Sequence, residues 1–186
     1  MGKRATQTLE EEHHIIQTVV GVMAALADNM DKGMAPEADT LRNLVEFLQV
    51  FADKCHHGKE ENFLFPLLEA KGVPVSGCPL GILIHEHQNG RKLVAELAGA
   101  VEAYEKGNSK ENGPLCASMR GLVNLYPNHI WKEDYLLFPM TDKILNKAEQ
   151  LELMEKFEVV EKEIGLEVHR RFEKLAATLA DKVQEG

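Results

Sequence analysis

The chain has 186 residues, enough for one domain with a sizeable core. Its formal charge of −9 and pI near 5.4 argue against nucleic acid or an anionic membrane as partner. The longest apolar stretch, Val19 to Ala27, is too short to cross a bilayer, and no charged-then-apolar leader is visible. Cys55, Cys78 and Cys116 form no CxxC pair and are odd in number, which suits a reducing cytoplasm better than a disulfide framework.

Breaker clusters at residues 31–36, 71–79 and 107–114, with a weaker break near 141–149, divide the chain. Between them the apolar residues follow the helical period, and no long run alternates as a strand would. The spacing predicts helices near 7–30, 37–70, 79–106 and 113–140, then one more near 149–183. The expected fold is all-α. Residues 1–146 form an up-down-up-down four-helix bundle, because short loops place consecutive helices antiparallel. Residues 147–186 add a C-terminal helix carrying Leu153, Phe157, Phe172 and Leu179, either packed on the bundle or used in a homodimer.

The strongest chemical signal is an internal repeat. Residues 56–66 read HHGKEENFLFP and residues 129–139 read HIWKEDYLLFP. The same offset of 73 residues separates His56 from His129 and Glu60 from Glu133. Residues four apart on a helix share a face, so each half presents an imidazole and a carboxylate together. Such a donor set suits iron, manganese or zinc rather than copper(I) or calcium. Pro66 and Pro139 come late in their helices and should disturb them alike. Glu12-His13 and Glu86-His87 mark the first helix of each half.

At roughly 100° per residue, the eight histidines sort by face. His13 is in phase with Ile16, Val20 and Ala27, and His56 with Val45, Ala52 and Phe63. His87 is in phase with Leu80, Leu83 and Val94, and His129 with Leu122, Leu125 and Leu136. His14, His57 and His85 fall on polar faces and are expected to meet water, although His14 is the alternative to His13 at the helix start. Each bundle helix thus supplies one inward histidine, and two supply an inward glutamate, Glu60 and Glu133. Two uncompensated carboxylates in a core are costly. A metal pair, with the glutamates bridging and two histidines on each ion, accounts for both.

These residues carry a resemblance. Over about residues 8–141 the chain resembles the hemerythrin-like (HHE cation-binding) family, closest to bacterial members that include di-iron proteins of iron–sulfur-cluster repair. The resemblance implies a four-helix bundle around a non-haem di-iron centre bridged by carboxylates and an oxo or hydroxo group. By position, His13, His56, Glu60, His87, His129 and Glu133 match the family's ligands. Oxygen-carrying members have a second histidine one turn further along helix three, where this chain has Arg91. Their last carboxylate falls five residues after its histidine, which nominates Asp134; the internal repeat favours Glu133. His169, on the C-terminal helix, is a candidate for the missing fifth histidine. Arg91 and Tyr126 are candidates to orient a ligand or hydrogen-bond a bound oxygen species. The repair proteins carry an extra cysteine-bearing domain before the bundle, and this chain opens directly on it.

The expected function is a protein with two iron ions, zinc or manganese being alternatives. It binds, and as a di-iron oxidoreductase reduces, O2, NO or peroxide, with a separate redox partner. The alternative is a non-catalytic oxygen- or iron-binding or redox-sensing protein. A ferritin-like oxidase wants Glu-x-x-His on two core helices. Here that spacing occurs only at Glu10–His13 and Glu11–His14. A zinc hydrolase finds no HExxH.

Overall fold

A computed structural model describes residues 3–107 and 112–184, with side chains to residue 181. Residues 108–111 of the third breaker cluster lie outside it. Among the described residues there are six helices and no strand. Helix α1 spans Ala5–Asp31. Helix α2 runs without interruption over 38–70, and α3 spans Leu80–Glu105. Helix α4 runs over 112–144, followed by α5, Lys147–Ile164, and α6, Leu166–Gln184. No helix is long and apolar enough to cross a membrane.

The prolines disturb α2 and α4 in the same way. Proline has no N–H and its ring collides with the carbonyl four residues back. Each helix widens just before its proline: π-type turns cover Glu60–Leu64 ahead of Pro66 and Glu133–Leu137 ahead of Pro139. There the amide of Phe65 bonds the carbonyl of Glu60, and that of Phe138 the carbonyl of Glu133, five residues back in each case. A longer wide-turn segment, Leu48–His57, precedes the first. Both repeat glutamates therefore begin a wide turn, a geometry frequent at functional sites.

Two apolar clusters sandwich a polar layer. On α1 the order is Ala5 and Leu9, then buried Glu12 and His13, then Ile16 onward. On α2 it is reversed, with Phe47 and Phe51, then His56 and Glu60, then Leu64 and Leu68. Helix α3 repeats the order of α1 and α4 that of α2, as an antiparallel bundle requires. The polar layer crosses all four helices at one level.

The C-terminal region is two helices, not the single one expected. Gly165 has φ +101°, a conformation that L side chains rarely adopt, and it splits 147–184 into α5 and α6. A lone glycine within helical periodicity does not by itself announce a turn, so the pattern read through it. The start of α5 is capped locally. The Asn146 side chain accepts from the amides of Ala148 and Glu149 at 2.9 and 3.1 Å, and Glu149 accepts from the Asn146 amide. Leu153 and Phe157 of α5 join one apolar cluster, while Phe172 and Leu179 of α6 join the other. Phe172 packs edge-on to Phe47 and Phe51. Burying such a ring stabilises by about 1.5–3 kcal/mol, which is why this region folds back on the bundle.

Candidate metal centre

Six side chains meet in the polar layer, and each is at most 3% exposed: His13, His56, Glu60, His87, His129 and Glu133. The imidazoles form two pairs. Nε2 of His13 lies 2.9 Å from Nε2 of His56, and Nε2 of His87 lies 3.1 Å from Nε2 of His129. The glutamates lie between the pairs. Glu133 Oε2 is 3.1 Å from His13 Nε2, and its Oε1 is 3.3 Å from His129 Nε2 and 3.6 Å from His87 Nε2. Glu60 Oε2 is 3.7 Å from His56 Nε2 and 3.5 Å from His87 Nε2. With ligand bonds of about 2.1 Å, two donors on one ion stand roughly 3.0–3.4 Å apart. The observed spacings bracket that range.

The opposite edge of each ring is held by an acid. His56 Nδ1 is 3.0 Å from Glu12 Oε2, and His129 Nδ1 is 3.0 Å from Glu86 Oε2. His13 Nδ1 is 2.6 Å from Asp134 Oδ1, and His87 Nδ1 is 2.6 Å from Glu61 Oε1. An acid at Nδ1 keeps a proton there and leaves Nε2 to face inward, the usual support of a metal-bound histidine. Lys59 donates to Glu12 and Lys132 to Glu86, completing the likeness of the halves. Asp134 thus orients His13, and it is Glu133 that enters the layer.

Whether this set suits a cation is decided by the glutamate oxygens. All four carboxylate oxygens of Glu60 and Glu133 are buried without a hydrogen-bond partner, although ring nitrogens stand close by. Buried acceptors in that condition cost about 1–3 kcal/mol each unless something binds them. Cations placed between these carboxylates and the Nε2 atoms would supply the missing partners.

The charges of the metal-free layer follow the same logic. Burial, then the charge of Glu133, raises the Glu60 carboxyl well above its ordinary value. At Glu133 burial works the same way, but His129 and His13 outweigh it and lower the carboxyl well below. Burial opposes the His13 imidazolium, yet Asp134 and Glu133 raise it to about 9, while burial and the His13 charge push His56 down to about 4. His13 thus keeps its proton to higher pH than His56, whose Nε2 faces it across 2.9 Å. A group with a raised value holds its proton below that value, so a metal must displace the proton of His13 at pH 7. Metal loading in a pH-stat is expected to release protons, with affinity rising as pH increases toward about 9. Loading with no proton release would contradict this charge assignment.

The remaining histidines divide. His14 and His85 are exposed, as expected. His57 is not: it is 4% exposed, a correction to the reading that it faces water. The turns of Leu48–His57 are wide, and each residue there advances by less than the α-helical angle. The accumulated lag swings His57 inside. Its ring stacks on His87 at 3.9 Å and 18°. His169 does not join the six. Its Nε2 is 3.3 Å from Glu12 Oε1, and its ring lies 5.0 Å from that of Phe51. Cys55 is buried beside the same glutamate, with burial pushing its thiol up to about 12. Glu12, Cys55 and His169 have metal-like spacing, but the Lys59 ammonium already neutralises Glu12.

Arg91 stands outside the ligand layer and acts on it. Its Nε donates to Asp53 and one Nη to Glu61, both at 2.8 Å. Tyr126 is buried and lines, with Arg91 and His57, a pocket of about 230 Å³. Burial of Lys59 behind the site was not foreseen. The repeated Lys-Glu of the motif was its only signal in the sequence. The pairing of Glu61 with His87 and of Asp134 with His13 crosses between halves, and no local pattern announces it.

A four-helix bundle with a buried histidine on every helix and two buried, unsatisfied glutamates defines a class of helical cation-binding proteins. The hemerythrin HHE cation-binding domain model matches residues 4–141, and the chain belongs to that family. It is also similar to curated proteins named as uncharacterized, Rv1995 of Mycobacterium tuberculosis and Mb2018 of Mycobacterium bovis. Each is 25% identical over 173 residues, covering 90% of this chain. The chain spans 62% of the length of these relatives. No solved structure matches significantly.

Proposed function

We propose that the polar layer holds two iron ions and that the protein binds and reduces a small oxidant: O2, NO or peroxide. The observation that carries this reading is the pair of glutamates whose four buried oxygens lack hydrogen-bond partners between two histidine pairs. His13 and His56 would hold one ion and His87 and His129 the other, with Glu60 and Glu133 supplying carboxylate oxygens between the two pairs. Histidine and carboxylate donors accept manganese or zinc as well. A redox role excludes zinc, and iron, when bound, supplies one-electron chemistry between its ferrous and ferric states.

The protein's own residues set the conditions. Glu12, Glu61, Glu86 and Asp134 hold the rings, and the apolar clusters on both sides exclude bulk water. The pocket of about 230 Å³ beside His57, Arg91 and Tyr126 has room to admit a diatomic molecule or peroxide. The three cysteines, all free, suit a reducing compartment that would supply an electron donor.

The test is protein produced with iron and purified without oxygen. About two iron ions per chain are expected. Adding O2, NO or H2O2 should then change the spectrum and consume the oxidant catalytically when a reductant is present. Stoichiometric binding without turnover would make it a binding protein instead. One ion or none, with helicity intact, would end the two-iron reading.

A further inference from the structure

We propose that His57 is a third imidazole ligand on the His87–His129 side, so that the two metal positions are chemically unlike. The inference rests on the two-ion reading above. Four observations carry it. The first is an orphan: His57 Nε2 is buried and has no hydrogen-bond partner. The second is position. Ligand nitrogens of His57, His87 and His129 all lie within 4.8 Å of one another, forming a buried three-histidine cluster. His57, Asp53 and Arg91 together line a pocket of about 230 Å³.

The third is support. His57 Nδ1 is 3.2 Å from Asp53 Oδ1, so this ring too has its outer edge on an acid and its Nε2 free. Arg91 bonds Asp53 and also Glu61, the acid behind His87. One guanidinium therefore locks the carboxylates that orient two neighbouring imidazoles. A merely buried histidine needs no such arrangement.

The fourth is where the internal repeat breaks. At the offset of 73, His57 corresponds to Ile130 and Asp53 to Tyr126. His13 and His87 are 74 apart, and at that offset Arg91 corresponds to Gln17. The six ligands and their four acids keep the repeat, while His57, Asp53 and Arg91 all depart from it. These three lie together on the His87–His129 side, beside one pocket. A departure gathered at one ion of a duplicated site gives that ion a different coordination sphere from its twin. With one more imidazole, the ion at His87 and His129 is held more firmly than the other.

Two measurements test this, neither using activity. In the first, wild type, His57→Ala and His57→Gln are loaded with ferrous iron without oxygen, checked for helicity, and stripped with a chelator. Wild type should lose its ions in two phases. Each variant should lose the slow phase, releasing that ion by more than the roughly 10- to 100-fold that a lost outer partner costs. Variants that keep both ions at wild-type rates would overturn the proposal. In the second, nitrogen NMR of the zinc-loaded wild type, labelled in histidine, reports which Nε2 atoms bind metal. Five bound imidazoles including His57 are expected; an unbound His57 Nε2 beside bound His87 and His129 would overturn the proposal even if the variants misfold. A wild type that takes up fewer than two ions of either metal would instead fail the two-ion reading, and this inference with it.

Discussion

Glu60→Ala combined with Glu133→Ala is expected to yield a helical protein that retains essentially no metal. Each glutamate reaches a histidine of both pairs, so each single substitution removes a donor from both ions at once. Losing even an outer-shell partner weakens metal binding by about 10- to 100-fold, so losing both inner carboxylates should exceed 1000-fold. Metal content after desalting measures the effect. Glu152→Ala, on an exposed side chain far from the layer in sequence, serves as the control and should keep wild-type content. If the double variant binds as much metal as wild type, the histidine pairs do not share their glutamates, and the two-ion site is wrong.

The same layer should trade stability for function in the metal-free state. Glu60 is fully buried, and neither oxygen has a hydrogen-bond partner. Burying a polar group without compensation costs about 1–3 kcal/mol in proteins. Glu60→Met is close in size and apolar, so metal-free Glu60→Met should be more stable than metal-free wild type by about that amount. Metal reverses the order. A ligand at 100 times its dissociation constant adds about 2.7 kcal/mol to the wild type, and the variant, lacking a bridging oxygen, gains much less. Urea melts with and without iron or zinc decide the matter. A metal-free variant less stable than wild type by 1 kcal/mol or more would mean that Glu60 is well satisfied without an ion, removing the main support for the site.

Much of this layer was legible because helices write their faces into the sequence. His13, His56, His87 and His129 each sit in phase with apolar neighbours, and all four are buried. The repeat paired Glu133 with Glu60, and both lie between the imidazole pairs, while Asp134 backs His13 from outside. Arg91 was singled out as a residue able to orient a ligand, and it does reach His87, through Glu61.

The misreadings share one origin, the assumption of uniform α-helical geometry. His57 falls on a polar face only if every residue from 48 to 57 turns by about 100°; the wide turns there do not. The helical pattern from 149 to 183 reads straight through Gly165, yet its positive φ folds α6 back against α1 and α2. The burial of Lys59 depended on acids 47 residues before it and 102 after it, Glu12 and Glu161.

The sequence alone determined the four bundle helices, their antiparallel order and the six side chains of the polar layer. Those follow from periodicity and spacing, which are local and repeat along the chain. Only the tertiary structure decided which acid backs which imidazole, which cations neutralise those acids, and that a fifth histidine stands inside. Those choices depend on helices far apart in sequence meeting at one level, and on small departures from ideal helical twist that accumulate before the site is reached.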